Sequence, residues 1–319
     1  TKNRQKSAEE LAKQVDVMII IGGFNSSNTC RLYDVCSRYV ASYHIEEPSS
    51  LKTEWFAGKN HIGVTAGAST PVSLMDAVVR QIEELLGNRF DKELDFCFKE
   101  FNSQSSQFMD NMISQAKEFM SVGKQIRPLL LLRVYEALSE CGPTNISPEL
   151  RKAAVSVEFL HNSTLVHDDI TDEESLRRNR PSLHAAIGTY YLTNNKMHNS
   201  EKKDGELNSG KLFSSQSNKF GVSHALCIGN LLYSLGLHSL QNSLPLFPPH
   251  MINAAINSYS KAFANVNLGQ ILDNSNTVQT ENDYFSMISL TTASLCRASA
   301  EIGALLANAS AESVSAVSD

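Results

Sequence analysis

Cysteine is scarce in the 319-residue chain and never paired in sequence: Cys30, Cys36, Cys97, Cys141, Cys227 and Cys296 form no C-x-x-C. That excludes a zinc knuckle and provides no disulfide framework, so free, mostly buried thiols in a reducing, cytoplasmic setting are expected. Positive charge is also short. A formal net charge of −6 speaks against a nucleic-acid partner, which needs a basic face. Long apolar runs are missing: Val17 to Ile21 and Leu129 to Leu132 are core-sized, far below the roughly 18 residues of a membrane span. The start carries no signal-peptide pattern and opens on Thr1 rather than Met, so an internal fragment of a longer protein is expected.

What is present is enough apolar residue, 42% of the chain, to bury cores, and enough length for two domains. Up to about residue 88 the pattern alternates. Ser7 to Gln14 is helical in composition, and Val15 to Ile21 is a β-branched run closed by Gly22-Gly23. Asn28 to Tyr39 is helical, Ala41 to Ile45 and His61 to Thr65 read as strands, and Leu74, Val78, Ile82 and Leu85 form one stripe of a helix over Pro71 to Leu86. Strands separated by helices predict a parallel α/β layer. Residues 89–319 carry helical periods only, with a start signal at Ser147-Pro148-Glu149 (cap, proline in the first turn, acid against the dipole). They predict an all-α domain, interrupted by a polar insertion at 189–219 and ending in a small-residue tail near Ser310 to Asp319 that frays.

The densest chemistry is Asp168-Asp169-Ile170-Thr171-Asp172, followed by Arg177-Arg178. On a helix Asp168 and Asp172 stand one turn apart, close to the C-terminal end where the dipole disfavours anions. A cation has to offset three such charges, and oxygen-only donors suit Mg²⁺ with bound phosphates. A solvated acidic face would account for this cluster alone. Its neighbours argue otherwise: Lys124 and Arg127 sit three residues apart at a helix start, a favoured anion position, and His161 lies two turns before Asp168. That set suits two diphosphates, one held through metal and one held directly.

The segments GKQIRP, EFLHNSTLVHDDITDEESLRRNRPSLH, GQILD and SLTTASLCRASAEIGALLAN make residues 95–306 resemble the N-terminal two-thirds of a trans-isoprenyl diphosphate synthase. The resemblance implies an isoprenoid-synthase helical bundle, a homodimer through that half, and Mg²⁺ on Asp168, Asp169 and Asp172 at an allylic diphosphate, with Arg177 helping. It implies isopentenyl diphosphate on Lys124, Arg127, His161 and Arg178, with Gln270 and Asp273 lining the same cavity. The growing tail would descend past Ser163 and Thr164, whose small side chains point to products of twenty carbons or more. The chain departs from the family in three places. The second aspartate-rich motif is not in it, the Lys-Thr pair reads Thr291-Thr292, and Gly-Asp reads Gly229-Asn230.

Two further loops, Asn25-Ser26-Ser27-Asn28-Thr29 and Thr65-Ala66-Gly67-Ala68-Ser69-Thr70-Pro71, each follow a strand and open a helix. Helix capping explains one such loop; two at one sheet edge form a favoured anion site. With TKNRQ, IGGFNSSNT and GVTAGASTP, residues 1–86 resemble the C-terminal third of 4-hydroxy-3-methylbut-2-enyl diphosphate (HMBPP) reductase. This implies HMBPP on Ser26, Ser27, Asn28 and Ser69, with Thr1 facing substrate. A 4Fe-4S cluster is implied for the longer parent, with ligands outside this chain. The combined reading is a fusion of two consecutive isoprenoid steps, truncated at both ends and inactive as this fragment. A chimera of mis-assembled sequence is a third possibility. The second is a non-catalytic subunit that binds prenyl diphosphate beside an active synthase.

Overall fold

The computed structural model describes residues 2–59, 61–87, 89–101, 106–139, 146–194, 215–243, 245–275 and 277–319. Two compact units emerge, Thr1–Arg89 and Phe90–Asp319. Thr1, Cys141 and residues 195–214 of the expected insertion lie outside the described residues.

The first unit runs α1 (Lys2–Ala12), β1 (Val17–Ile21), α2 (Ser27–Cys36), β2 (Ser42–Ile45), β3 (Ile62–Ala66) and α3 (Val72–Leu85). Its sheet is parallel throughout, in the order β2-β1-β3. Every residue of β1 is buried, and period-two geometry splits them between two cores. Val17, Ile19 and Ile21 pack with Phe56, Val78 and Ile82; Met18 and Ile20 pack with Ala8, Ala12, Leu32 and Cys36. A central strand covered on both faces explains why its sequence is an unbroken apolar run.

The second unit comprises α4 (Asp91–Phe101), α5 (Gln107–Ser121), α6 (Ile126–Leu138), α7 (Pro148–Thr171), β4 (Leu176–Arg177), β5 (Arg180–Pro181), α8 (Leu183–Asn194), α9 (Gln216–Gln241), α10 (Pro249–Asn274), α11 (Glu281–Ile288), α12 (Ser294–Leu306) and α13 (Ala311–Ser318). The all-α expectation needs one amendment: β4 and β5 pair as a two-residue antiparallel ladder. The ends of the expected insertion are helical too. Tyr190 packs on the core, and the Tyr191 ring lies 4.6 Å from that of Phe220, extending α8 and α9 into the polar stretch. The tail does not fray: Ser310 caps α13 through the Ser313 amide, and Arg297 Nε donates to Ser318 O at 2.7 Å.

Helix α7 is the axis of this unit. Ser147 Oγ accepts from Leu150 N at 3.1 Å, Pro148 fills the first turn, and residues on every side of the helix are buried. Helix α9, whose mean hydropathy of 1.3 over an 18-residue window makes it long and apolar enough to cross a membrane by length and composition, packs against it. Contiguous apolar runs miss this window because serine, glycine and histidine interrupt it. Ala225, Leu232 and Leu235 are buried in the bundle core. Close approach rests on glycine: a Cβ at Gly236 would collide with Tyr259 Oη and come within 2.9 Å of Ser156 O.

Of the described cysteines, all free, Cys36 and Cys97 are buried, whereas Cys227 and Cys296 are exposed, so the thiols are less uniformly buried than expected. Gly236→Ala should lower stability by about 1–3 kcal/mol through overpacking, because the Tyr259 ring is fully buried and cannot retreat. Urea denaturation of both proteins checks this; an unchanged midpoint would show that the seam has slack.

Candidate active site

Helix α7 delivers its acids at the point where it stops. Asp172 caps it, with its N–H donating to Asp168 O at 2.8 Å, and Glu173 turns left-handed at φ 56°. The chain then doubles back through β4, placing Arg177 over the helix end. Arg177 Nη2 donates to Asp168 Oδ2 at 2.9 Å and Nε to Asp169 Oδ1 at 2.5 Å. The offsetting cation that the acid cluster demands is thus internal. Asp169 has no exposed surface, and its Oδ2 has no hydrogen-bond partner among the described residues. Burial pushes its carboxyl up to about 6 against the pull of Arg177. Asp172 is also raised, first by burial and then by the charges of Asp168, Glu174 and Asp273.

A cavity of about 280 Å³ opens on Asp168 and is lined from four sides. Arg127 contributes from α6, His161 and Thr164 from α7, Gln270 and Asp273 from α10, and Thr291 from the π-helical turn Ser289–Ala293. Apolar wall comes from Leu165, Phe263, Val266, Met287 and Leu295. Gln125 sets the entry of α6: it is left-handed at φ 50°, its Oε1 accepts from Phe90 N at 2.8 Å and its Nε2 donates to Asp91 at 3.0 Å. Three buried polar atoms on this lining, Arg127 Nε, His161 Nδ1 and Gln270 Nε2, have no partner among the described residues. Such atoms are costly to bury unpaired.

Some expected residues stand elsewhere. Lys124 is exposed and lines neither this cavity nor the one beside it. Arg178 opens on that neighbouring cavity, although its charge still reaches His161. Ser163 is fully buried, its Oγ is unpartnered among the described residues, and it lines neither cavity. One residue is about 100° of helix, so Thr164 and Ser163 cannot share a wall. Seven residues from Ser156 and four from His167, which meet α9 at Gly236 and Gly229, Ser163 falls on the α9 side of α7. His161 is not a cation: burial, then the charges of Arg127, Arg178 and Arg177, press it down to about 3.

Sequence reasoning passed over His167 and Phe263. The signal for His167 was its place directly before Asp168; for Phe263 it was the one-turn-plus-one-turn spacing to Gln270.

The fit of a divalent ion rests on donor chemistry. Among the described residues no three His, Cys, Asp or Glu side chains form a ready cage. The orphaned Oδ2 of Asp169 and the neighbouring acids Asp168, Asp172 and Asp273 are oxygen donors of the kind Mg²⁺ takes together with waters and substrate phosphates. An iron–sulfur centre does not fit: no cluster ligand set exists among the described residues, and the Cys30 and Cys36 thiols point to the carbonyls of Phe24 and Ala8.

In the first unit, the loops after β1 and β3 meet at the carboxyl edge of the sheet. Gly67 N donates to Ile21 O at 3.0 Å and Thr70 Oγ1 to the same oxygen at 3.2 Å. A Cβ at Gly22 or Gly67 would meet Thr29 Oγ1 at 2.8 or 2.5 Å, so the two loops touch through glycine. Ser26 caps α2, its Oγ accepting from Thr29 N at 3.4 Å, whereas Ser27, Asn28 and Ser69 are exposed. Thr29 and Thr70, which bind the loops together, were absent from the sequence-based set.

Comparison with known proteins matches the two parts of the chain to different families. The family model described as LytB protein matches residues 1–83, and that described as Polyprenyl synthetase matches 110–200 and 210–319. The 4-hydroxy-3-methylbut-2-enyl diphosphate reductase of Geotalea uraniireducens is 54% identical over 83 residues, 26% of this chain and 29% of that protein. That of Nautilia profundicola is 48% identical over 85 residues, 27% and 31%. The chain thus spans about 30% of the length of these curated relatives. Two solved structures share the fold. The geranylgeranyl pyrophosphate synthase of Corynebacterium glutamicum, complexed with isoprenyl diphosphate and magnesium, superposes with a TM-score of 0.60 at 22% identity, over 74% of this chain and 62% of that one. The geranylgeranyl pyrophosphate synthetase of Geoglobus acetivorans gives 0.54 at 24% identity, over 72% and 61%.

The state of His161 makes a pH prediction. Its folded value lies near 3, against the ordinary histidine value of 6.5, so the unfolded chain binds the extra proton between those limits. This contribution to stability is complete above pH 6.5 and is lost as pH falls toward 3, with a slope of up to about 1.4 kcal/mol per pH unit. His161→Gln removes it. Denaturation midpoints of both proteins at pH 7.5, 6 and 5 should converge as pH falls; parallel curves would mean that the ring is charged in the fold.

Proposed function

Since the chain belongs over more than half its length to the polyprenyl synthetase family, and carries ahead of it a segment matching LytB, we propose that its helical unit binds an allylic diphosphate beside isopentenyl diphosphate and condenses them head to tail. Both matches belong to isoprenoid biosynthesis, and the helical unit is prenyltransferase-type. The observation that carries the finer reading is the convergence of Asp168 and Asp273 with the unpartnered Arg127 Nε, His161 Nδ1 and Gln270 Nε2 on one cavity. Buried donors without partners beside carboxylates are a site prepared for an anion and its counter-ion.

Mg²⁺, held by Asp168, Asp169 and Asp172, would neutralise diphosphate oxygens and ease ionisation of the allylic C–O bond. Arg127 stabilises the diphosphate electrostatically, and Arg177, already at the helix end, takes part of the leaving group's charge. His161, uncharged, donates one hydrogen bond without adding repulsion to Arg127. Phe263, Val266, Met287 and Leu295 keep water from the allylic cation until the isopentenyl double bond attacks and a proton leaves. In the first unit, the helix N-termini behind Ser26, Ser27, Asn28 and Ser69 support binding of the HMBPP diphosphate, and the parent reductase would supply both substrates of the condensation.

One observation favours the second reading, a binding subunit without turnover. Thr291, where the synthase pattern has lysine, turns its Oγ1 onto Met287 O at 3.1 Å and its methyl onto Gly269, so this wall brings no cation to the diphosphate.

Calorimetric titration of geranyl diphosphate into the 319-residue chain should show binding that needs Mg²⁺ and weakens at least tenfold in Asp168→Ala. Turnover of dimethylallyl and isopentenyl diphosphates by the intact longer protein separates synthase from binding subunit. Metal-independent binding, or an unaffected variant, would remove the acid cluster from the site.

Product length is tested at Thr164, the small residue that does line the cavity. Products of twenty carbons or more are expected from the intact protein, and Thr164→Phe should shorten them. A wild-type product of fifteen carbons would refute the small-residue argument.

A further inference from the structure

Helix α7 buries a further carboxylate that the site described above does not use. Glu158 is 1% exposed, and a carboxylate taken out of water is costly unless charge or hydrogen bonds compensate it. It precedes His161 by three residues, Asn162 by four and Leu165 by seven, so these four share one face of the helix. Glu158 itself lines neither cavity. Its Oε1 accepts from Asn162 Nδ2 at 3.0 Å. The same nitrogen donates to Glu158 O at 2.8 Å, which holds the carboxylate along the helix.

The compensating charge comes from outside α7. The connection from α5 to α6 passes the carboxylate at Gly123, where a Cβ would stand 3.2 Å from Glu158 Oε1 and 3.5 Å from Arg178 Nη1. Carboxylate and guanidinium therefore flank one point of this connection, and a side chain there would wedge against both. Four residues on, in the first turn of α6, Arg127 is in range of the same two charges. Burial presses its guanidinium below the usual range and Arg178 adds to this, whereas Cys296 and Glu158 act in the other direction. Arg127 Nε has no hydrogen-bond partner among the described residues, so the surrounding charge, not a bond at that atom, sets its direction. Two guanidiniums from different elements thus repel each other, with one buried carboxylate in range of both.

We propose that Glu158 is a positioning residue that acts through Arg127: its buried negative charge offsets the repulsion from Arg178 and keeps the Arg127 guanidinium turned into the acid-cluster cavity before any anion arrives. Glu158 touches no ligand itself. The inference rests on the reading that this cavity takes a diphosphate, and adds to it the residue that preorganises the arginine. Preorganisation removes an ordering cost that binding would otherwise carry. Glu158→Gln keeps the shape of the side chain and an acceptor for Asn162, and removes the charge alone.

A double-mutant cycle tests it, with isopentenyl diphosphate titrated calorimetrically into the 319-residue chain, Glu158→Gln, Arg127→Gln and the double variant. Affinity should fall about tenfold in Arg127→Gln, as loss of a charge-assisted contact does, and about fivefold in Glu158→Gln. The double variant should match Arg127→Gln to within about twofold, because a residue acting through another has nothing left to act on. Should Glu158→Gln fail to fold by circular dichroism, Glu158→Asp, which keeps the charge and withdraws it by one methylene, enters the same cycle with the same expectation. An unchanged or tighter affinity in the Glu158 variant, an unaffected Arg127→Gln, or losses that add in the double variant, as a general loosening of α7 would make them, would overturn the proposal. No binding to the wild type would remove the diphosphate reading of the cavity itself, and the proposal with it.

Discussion

Asp169 has no exposed surface, and the guanidinium of Arg177 makes its ionised form tolerable. Much else in the helical unit follows from that pair. Breaking such a buried pair leaves an uncompensated charge, at a typical cost of roughly 3–5 kcal/mol. The chain therefore has to return over the end of α7, and it does so through a left-handed Glu173 and the short hairpin that carries Arg177. The hairpin in turn sets where α8 starts and which residues face each cavity. Burial of Asp169 is itself a consequence of α7 being enclosed on all sides, which Gly229 and Gly236 permit by letting α7 approach α9 closely.

Electrostatically the site is an arrangement of opposed charges with unfilled valences. The acids gather where the α7 dipole is unfavourable to them; Arg127 stands on α6 with its Nε unpaired; His161 lies near three arginines and stays neutral. Each group is held at a cost that an incoming diphosphate with its cation would relieve, since a polar atom without a partner in a low-dielectric interior is more expensive than one never buried. That is the sense in which the geometry is prepared for a charged ligand rather than merely polar.

The α/β unit solves a different problem with backbone. Its loops meet because Gly22 and Gly67 leave room for Thr29 and Thr70, and the resulting edge presents helix N-termini rather than charged side chains. Anion recognition by amides and hydroxyls is weaker per contact than by guanidinium but is fixed in direction by the sheet.

Periodicity and composition by themselves determined a good deal: the parallel strand order's central apolar run, the helical stripe of Val78 and Ile82, the capped start of α7 at Ser147, and the change from α/β to helix near residue 88. Those are local properties, readable because side-chain period and capping act within a few residues. Complementary chemistry also made Asp168, Arg127 and His161 candidates for one site, and the family resemblance added Gln270 and Asp273 to them. Tertiary structure alone decided that Ser163 faces α9 while Thr164 faces the cavity, that His161 is neutral, that Arg177 clamps the acids, and that Arg178 looks into a second cavity. Each depends on which neighbour covers a given face of α7, and burial and field at a point are sums over elements distant in sequence, which no local period encodes.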